Sequence, residues 1–398
     1  MTLDAAAKGS IARLPALQEP ALADVLSRLV AVPSVNPGNS EEPMARCVEA
    51  RLADTRCELT FVESMPGRPS LAAVLPGKAR KPRLVLNGHM DTVAVDSAEQ
   101  WSVDPFGGSI FDGSVWGRGA VDMKGGLAAQ IACARALSAL PPLRGSLVLH
   151  FAAGEECGEP GTLSLIKEGF VGDWGITTEP TNLAVAVAQR GVAWYRVRII
   201  GRSGHGSAPG AARNPIDQLP AVLEALARYD TELGTRSEHL LLPPASCTPT
   251  MIRSGVQHNA IADDAEVIVD RRLLPGESPE ATLEELRRLV AQAAEHDGFR
   301  TGVELHQNPF APAEIRGDSP FVRLVMRTVE EVTGAEAPVT GTAYGSDVRN
   351  LVNDAGMEAI TFGAGDVRNC HCPDEHLPIS ELRQAAVVLA KVAVELLS

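Results

Sequence analysis

Two histidines, His89 and His371, stand far apart in this 398-residue chain, and short acidic motifs surround and separate them. In order, the motifs read NGHMDT, GRGAVDMKGG, AAGEECGEPGT, TTEP and CHCPDEH. They supply His89, Asp91, Asp122, Glu155, Glu156, Glu179 and His371. Two imidazoles and three carboxylates suffice to hold two zinc ions. Two carboxylates then remain, one to orient a ligand and one to act as a base. The set points to metal-dependent hydrolysis.

Taken singly, each motif has an ordinary reading beside the chemical one. His89 and Asp91 form a His-x-Asp, and a zinc-bound imidazole usually donates its other N–H to a carboxylate. The same pair could be a loop histidine beside a turn aspartate. Asp122 lies in a glycine-rich loop before a helix, where its two oxygens could bridge two metals about 3.5–4 Å apart or cap the helix. Adjacent Glu155 and Glu156 end a buried stretch, HFAAGEECG, where two acids repel and resist burial unless a metal stands beside them. Neighbouring side chains point differently, so one can bind metal while the other faces the attacking water. Glu179 precedes Pro180, which fixes the backbone after it; alone it reads as a turn acid. His371 sits between Cys370 and Cys372. A Cys-x-Cys could belong to a structural zinc site, but no second Cys/His pair stands at suitable spacing.

The elements that must position these residues follow from the apolar pattern. Residues 20–33 have helical spacing and stop at a proline. LAAVLPG and RLVLNGHMDT read as short buried strands, and MKGGLAAQIACARALSAL as a long alanine-rich helix. GSLVLHFAAGEE is a strand ending on the acidic pair, and WGITTEP another ending on Glu179. Alternating strands and helices predict an α/β layer with a largely parallel sheet, whose site lies at the carboxyl ends of the strands. Near residue 187 the pattern changes. GVAWYRVRIIG alternates like an antiparallel strand. PIDQLPAVLEALARYDTEL, TPTMIRSG, DAEVIVDRRL, TLEELRRLVAQAAEHD and TGVELHQ complete a strand–helix–strand–strand–helix–strand order, the ferredoxin-like arrangement. The expected division is a catalytic domain over 1–186 and 308–398, with a smaller α+β domain inserted at 187–307.

Composition sets bounds. A chain of this length predicts two domains. A formal charge of −14 disfavours nucleic acid and anionic membranes as partners. The opening residues have no uninterrupted apolar stretch after a basic end, so no secretory signal is expected, and no window reaches the roughly 20 apolar residues of a spanning helix. Seven scattered cysteines suit a reducing cytoplasm without disulfides.

The ordered motifs, from VAVPSVNPG through GHMDTV, GRGAVDMKGG, GEECG, TTEPT, GRSGHGSAP and DRRLLPGE to GAGDVRNCHCPDEH, resemble one family over nearly the whole chain. It is the di-zinc amidohydrolase and exopeptidase family of acetylornithine deacetylase, succinyl-diaminopimelate desuccinylase, glutamate carboxypeptidase and aminoacylase. The resemblance implies a zinc-exopeptidase-like catalytic domain with an inserted ferredoxin-like dimerisation, or lid, domain. It implies two zinc ions per subunit, with cobalt able to substitute. His89 and Glu179 would hold the first, Glu156 and His371 the second, and Asp122 would bridge them. Glu155 would be the general acid/base, His205 would reach the partner's site in a homodimer, and Asn259 and Arg272 would grip a substrate carboxylate. Cys370 and Cys372 flank His371 where such relatives more often have small or hydroxylic residues, and GAGD replaces the commoner GPGD.

The implied substrate is a small N-acyl amino acid or peptide-like amide. Acetylornithine-type deacetylation comes first, then desuccinylation or carboxypeptidase or dipeptidase action. A Glu rather than an Asp at position 179 resembles the deacylases and carboxypeptidases more than the aminopeptidases. A rival of another class is a non-catalytic metal-binding module; the retained Glu155 argues against it. A dinucleotide-binding dehydrogenase is disfavoured because GRGAVDMKGG lacks the GxGxxG spacing.

Overall fold

The computed structural model describes residues 10–236, 238–294 and 299–398. Residues 1–9, with which the reading of a missing secretory signal begins, lie outside the described residues, as do 295–297 of the helix expected over 282–297. The chain divides into two compact units. The first comprises residues 1–187, 314–341 and 346–398, and the second 188–313 and 342–345.

The first unit is built on a nine-stranded mixed sheet. Its centre is parallel: Ser146–Ala152, Arg83–His89, Trp174–Thr177 and Glu358–Thr361 lie side by side in that order. These runs are almost entirely buried, as parallel strands covered on both faces must be. The flanks are antiparallel, so the sheet is parallel only at its core. Glu58–Met65 and Arg68–Leu75 form a hairpin across two residues, and so short a link permits only antiparallel pairing. Glu58–Met65 was not legible as a strand because its partly exposed edge carries Glu58 and Glu63 among its apolar residues. The helix Gly125–Ser138 is buried on nearly every side, which explains its alanine content, and it packs against the C-terminal helix Ile379–Leu397.

The register delivers the site. His89 pairs with Ala152, and Asn87 with Thr177. Two residues beyond Thr177 is Glu179, level with His89, and three beyond Ala152 begins the Glu155–Glu156 pair. Three strand ends therefore meet at one edge, as the carboxyl-end rule for parallel sheets requires.

The second unit is ferredoxin-like. Gly191–Ile200, Ser246–Ser254, Asp264–Leu273 and Arg300–Leu305 form a wholly antiparallel sheet, in which Gly191–Ile200 and Asp264–Leu273 are central. The helices Leu219–Arg236 and Pro279–Ala293 contribute to the core on one face. Period-two alternation places Ala193, Tyr195, Val197 and Ile199 in that core, with Ala265, Val267 and Val269 beside them. No helix among the described residues is long and apolar enough to cross a membrane.

Gly126 shows how tightly the first unit is closed around the strand ends. A Cβ there would lie 2.1 Å from the Thr178 carbonyl oxygen, next to Glu179. Alanine is the better helix former, yet Gly126→Ala is expected to destabilise the protein by about 1–3 kcal/mol through overpacking. Urea unfolding checks this; an equal or higher midpoint would show that the helix can move away from the Glu179 loop without cost.

Candidate metal centre

Asp122 lies in the turn Ala120–Lys124 that precedes the helix Gly125–Ser138. The helix N-cap is Lys124, and no side-chain cap hydrogen bond is present, so the carboxylate of Asp122 is not spent on capping. It faces two imidazoles instead. Asp122 Oδ1 is 3.2 Å from His89 Nε2, and Oδ2 is 3.2 Å from His371 Nε2. Each histidine has a second acid: Glu179 Oε1 is 3.5 Å from His89 Nε2, and Glu156 Oε1 is 3.4 Å from His371 Nε2. The five residues thus form two His–carboxylate pairs sharing one aspartate.

The tautomer of His89 follows from its partners. Nδ1 lies 3.0 Å from the carbonyl oxygen of Asp91 and must donate to it, which leaves Nε2 for the acids. The Asp91 carboxylate is 3.4 Å from the same nitrogen and is otherwise occupied. Oδ1 accepts the N–H groups of Gly154 and Glu155, and Oδ2 accepts those of Glu156 and of the Asn36 side chain. Asp91 therefore anchors the turn that carries both glutamates. Gly154 and Gly158, at φ 82° and 66°, bracket that turn in the left-handed conformation glycine adopts freely.

The electrostatics are those of a site made for cations. Burial pushes the carboxyl groups of Glu155, Glu156 and Glu179 above the ordinary range, and their acidic neighbours add to it. Burial opposes ionisation of Asp122 too, but hydrogen bonds from His371 and His89 hold it well below that range. The Glu156 Oε1 atom is buried and, although 3.4 Å from His371 Nε2, makes no hydrogen bond among the described residues. His89, Asp122 and Glu156 offer ligand atoms within 4.8 Å of one another. An orphaned buried carboxylate oxygen among mutually repelling acids fits a divalent ion, which would supply the missing positive charge.

Cys370 and Cys372 turn their thiols to carbonyls of their own loop, Asp366 and Asn369, at 3.8 and 3.2 Å. Neither enters the metal-competent cluster. His371 lies between them at φ +58° and is half exposed.

Sequence reading missed three residues here. Asn36, inside VAVPSVNPG, also donates to Glu159. Asp347 and Arg349 come from the segment after residue 345; Arg349 Nη1 is 4.0 Å from Glu155 Oε1 and 3.4 Å from Asp347 Oδ1. An Asp-x-Arg two residues after a glycine was the only local signal for Asp347 and Arg349.

The remaining candidates lie in the second unit. His205 is exposed, its Nδ1 2.7 Å from Ser207 Oγ, and it pairs with Ala260 in a two-stranded sheet. Gly206 donates to the Asn259 carbonyl, so His205 and Asn259 share one corner. Arg272 belongs to the four-stranded sheet, on the face opposite its core, where it grips Asp270 through Nε (2.7 Å) and Nη2 (3.1 Å). Trp194 donates to the same carboxylate.

Residues 85–395 match the profile of Peptidase family M20/M25/M40. This chain belongs to that family. It is 30% identical to a succinyl-diaminopimelate desuccinylase of Phenylobacterium zucineum over 92% of this chain and 96% of that one. It is 26% identical to an N-formyl-4-amino-5-aminomethyl-2-methylpyrimidine deformylase of Halalkalibacterium halodurans, over 90% of each. Its fold matches that of YXEP of Bacillus subtilis, a dinuclear metal-binding peptidase of family M20, with TM-score 0.70 and 17% identity over 95% of this chain and 98% of that one. The M20 protein described here is accordingly a metal-dependent hydrolase of amide bonds.

Metal binding by this M20 site must be coupled to protons. The carboxylates of Asp122 and Glu156, 3.2 and 3.4 Å from Nε2, raise the pKa of His371 to about 10 against the opposing effect of burial. Its unfolded value is near 6.5. In the metal-free protein its contribution to stability is thus full below about pH 6.5 and lost as pH rises through about 10. An imidazole must be neutral to ligate a metal, so an ion bound to His371 would have to displace that proton at pH 7. Calorimetry in buffers of different ionisation heat is expected to show proton release that shrinks in His371→Ala. Cys370→Ser and Cys372→Ser should leave metal content unchanged; loss of a full equivalent in either would place a thiolate among the ligands.

Proposed function

We propose that this protein removes a small acyl group from the nitrogen of a carboxylate-bearing amine, using two zinc ions. The observation that carries this reading is the placement of the two Asp122 oxygens, each 3.2 Å from a different imidazole, with Glu155 buried alongside. His89 and Glu179 would hold one ion, His371 and Glu156 the other, with Asp122 between them. The B. subtilis neighbour, a dinuclear metal-binding peptidase, supports that stoichiometry. Bound zinc would polarise the amide carbonyl and lower the pKa of a water.

The remaining work falls to the chain. Glu155 is placed to take the proton of the attacking water and return it to the leaving nitrogen. Its burial favours the neutral form, so it can act as acid as well as base. Arg349, 4.0 Å away, restrains the carboxylate. Asp91 holds the Glu155–Glu156 turn by its amides and His89 by its tautomer. Asn259 and Arg272 would bind the substrate carboxylate, and His205 would stabilise the oxyanion of the tetrahedral intermediate from a partner subunit. A homodimer is supported by the edge strand Ser246–Ser254, which exposes Met251 and Ile252. We place the protein in the cytoplasm, acting on small molecules rather than on nucleic acid or membrane.

Relatives named for desuccinylation and deformylation support N-succinyl and N-formyl substrates beside the N-acetyl amino acids favoured by the motif resemblance. A panel of N-acetyl, N-succinyl, N-formyl and dipeptide substrates, assayed with zinc and cobalt, tests the proposal. Turnover of dipeptides alone would turn the assignment to an exopeptidase.

Glu155→Gln keeps the shape of the side chain but cannot take a proton. It should retain two metal equivalents and lose roughly 10²–10⁴-fold in kcat. Near-normal turnover with full metal content would remove Glu155 from the mechanism.

If His205 acts across a dimer, His205→Ala and Glu155→Gln homodimers are each nearly inactive while mixed dimers contain one intact site. Random mixing is expected to restore about a quarter of wild-type activity. Verified mixing without recovery would place His205 in its own subunit's site or outside catalysis.

A further inference from the structure

Glu375 lies in the same CHCPDEH motif as His371 and is completely buried, yet it is not a metal ligand. Both its oxygens are committed to donors. Oε1 accepts the backbone N–H of Val121 at 2.9 Å and that of Asp122 at 3.1 Å. Oε2 accepts Arg118 Nη1 at 2.7 Å. The Glu375 carbonyl takes the N–H of Gly117 at 2.8 Å, so the residue fastens the 117–122 segment at both ends.

Arg118 completes the attachment. Its guanidinium is buried, lies 5.3 Å from the centre of the Trp101 ring, and is 3.5 Å from the Cys372 carbonyl, one residue past His371. Its backbone N–H is held by the Pro105 carbonyl. Asp374 accepts the N–H of Ser102, a second tie between the His371 loop and the 101–105 segment. Lys124 is the other buried cation nearby, but its ammonium is bound to the Val32 carbonyl. Arg118 is therefore the cation that directly neutralises Glu375.

This wiring bears on the metal centre because the two loops it joins hold different parts of it. One carries Asp122, which faces both histidines. The other carries His371, half exposed and otherwise held by turns within its own loop. A bridging carboxylate works only if both imidazoles stay at the right distance from it. His89 is fixed by the sheet, whereas His371 has no strand beneath it. We propose that Glu375, seated against Arg118, is the positioning residue that sets the spacing of the two metal ions, by tying the backbone of Asp122 to the loop of His371. The proposal rests on the two-metal reading given above and adds to it a cause for the second site's geometry.

The test is zinc binding to metal-free wild type, Glu375→Gln, Arg118→Gln and His371→Ala, followed by calorimetry and chelator competition, with His371→Ala assigning the second site. Gln fills the space of Glu375 but presents an amide to Arg118 and carries no charge. Expected is a loss of about 10–100-fold in affinity at the second site alone, the range found for residues that orient ligands, with the first site unchanged. Arg118→Gln should show the same selective loss to a smaller extent, which keeps the proposal testable should Glu375→Gln fold poorly. Cobalt spectra should report a changed second site. Equal weakening of both sites, or no change in either, overturns the proposal. Fewer than two ions bound by wild type would instead overturn the two-metal reading itself.

Discussion

Concentrated negative charge in a buried place is the constraint on which this structure depends. Asp91, Asp122, Glu155, Glu156 and Glu179 are gathered around two imidazoles, and Asp347 adds a further acid. Burying one unpaired carboxylate costs on the order of several kcal/mol. Protons relieve part of this when no metal is present, which is why burial and repulsion raise Glu155, Glu156 and Glu179 while the histidines keep Asp122 ionised. A dication would relieve it better, and losing protons and gaining metal would then be one event.

The fold meets this constraint with backbone rather than with additional charge. Three parallel strands end together, so His89, Glu179 and the Glu155–Glu156 turn arrive without long connections. Three consecutive amides bind Asp91, and two bind Glu375. An amide donor stabilises a carboxylate without the conformational freedom of a lysine or arginine side chain. Arg118 and Arg349 are set directly against acids in this region, and both are themselves buried.

How much of this was legible in sequence depends on where the determining contact lies. The strand–helix alternation and the βαββαβ order were readable because burial imposes a period on each segment; Asp264–Leu273 matches its expected bounds residue for residue. The metal candidates were readable because acids and histidines at the ends of apolar runs have few structural uses. Glu58–Met65 was not, since an edge strand meets solvent and need not alternate cleanly. Asn36, Asp347 and Glu375 escaped for another reason. Each is defined by partners tens or hundreds of positions away, Asp91 for Asn36, Thr162 for Asp347 and Asp122 for Glu375. Local pattern carries no trace of such pairings.

The same distinction separates chemistry from substrate choice. Every candidate metal ligand lies in the first unit, on strand ends and loops fixed by buried hydrogen bonds. The candidates for substrate contact, His205, Asn259 and Arg272, lie in the second unit, where His205 and Asn259 sit on a two-stranded corner that is exposed to solvent. A change in that corner displaces no core side chain and breaks no buried ion pair, whereas a change at Asp91 would release three amides at once. The candidate metal ligands are therefore held under much stronger physical constraint than the candidates for substrate contact. That is consistent with whole-length relatives carrying the names of a desuccinylase and a deformylase at only 26–30% identity.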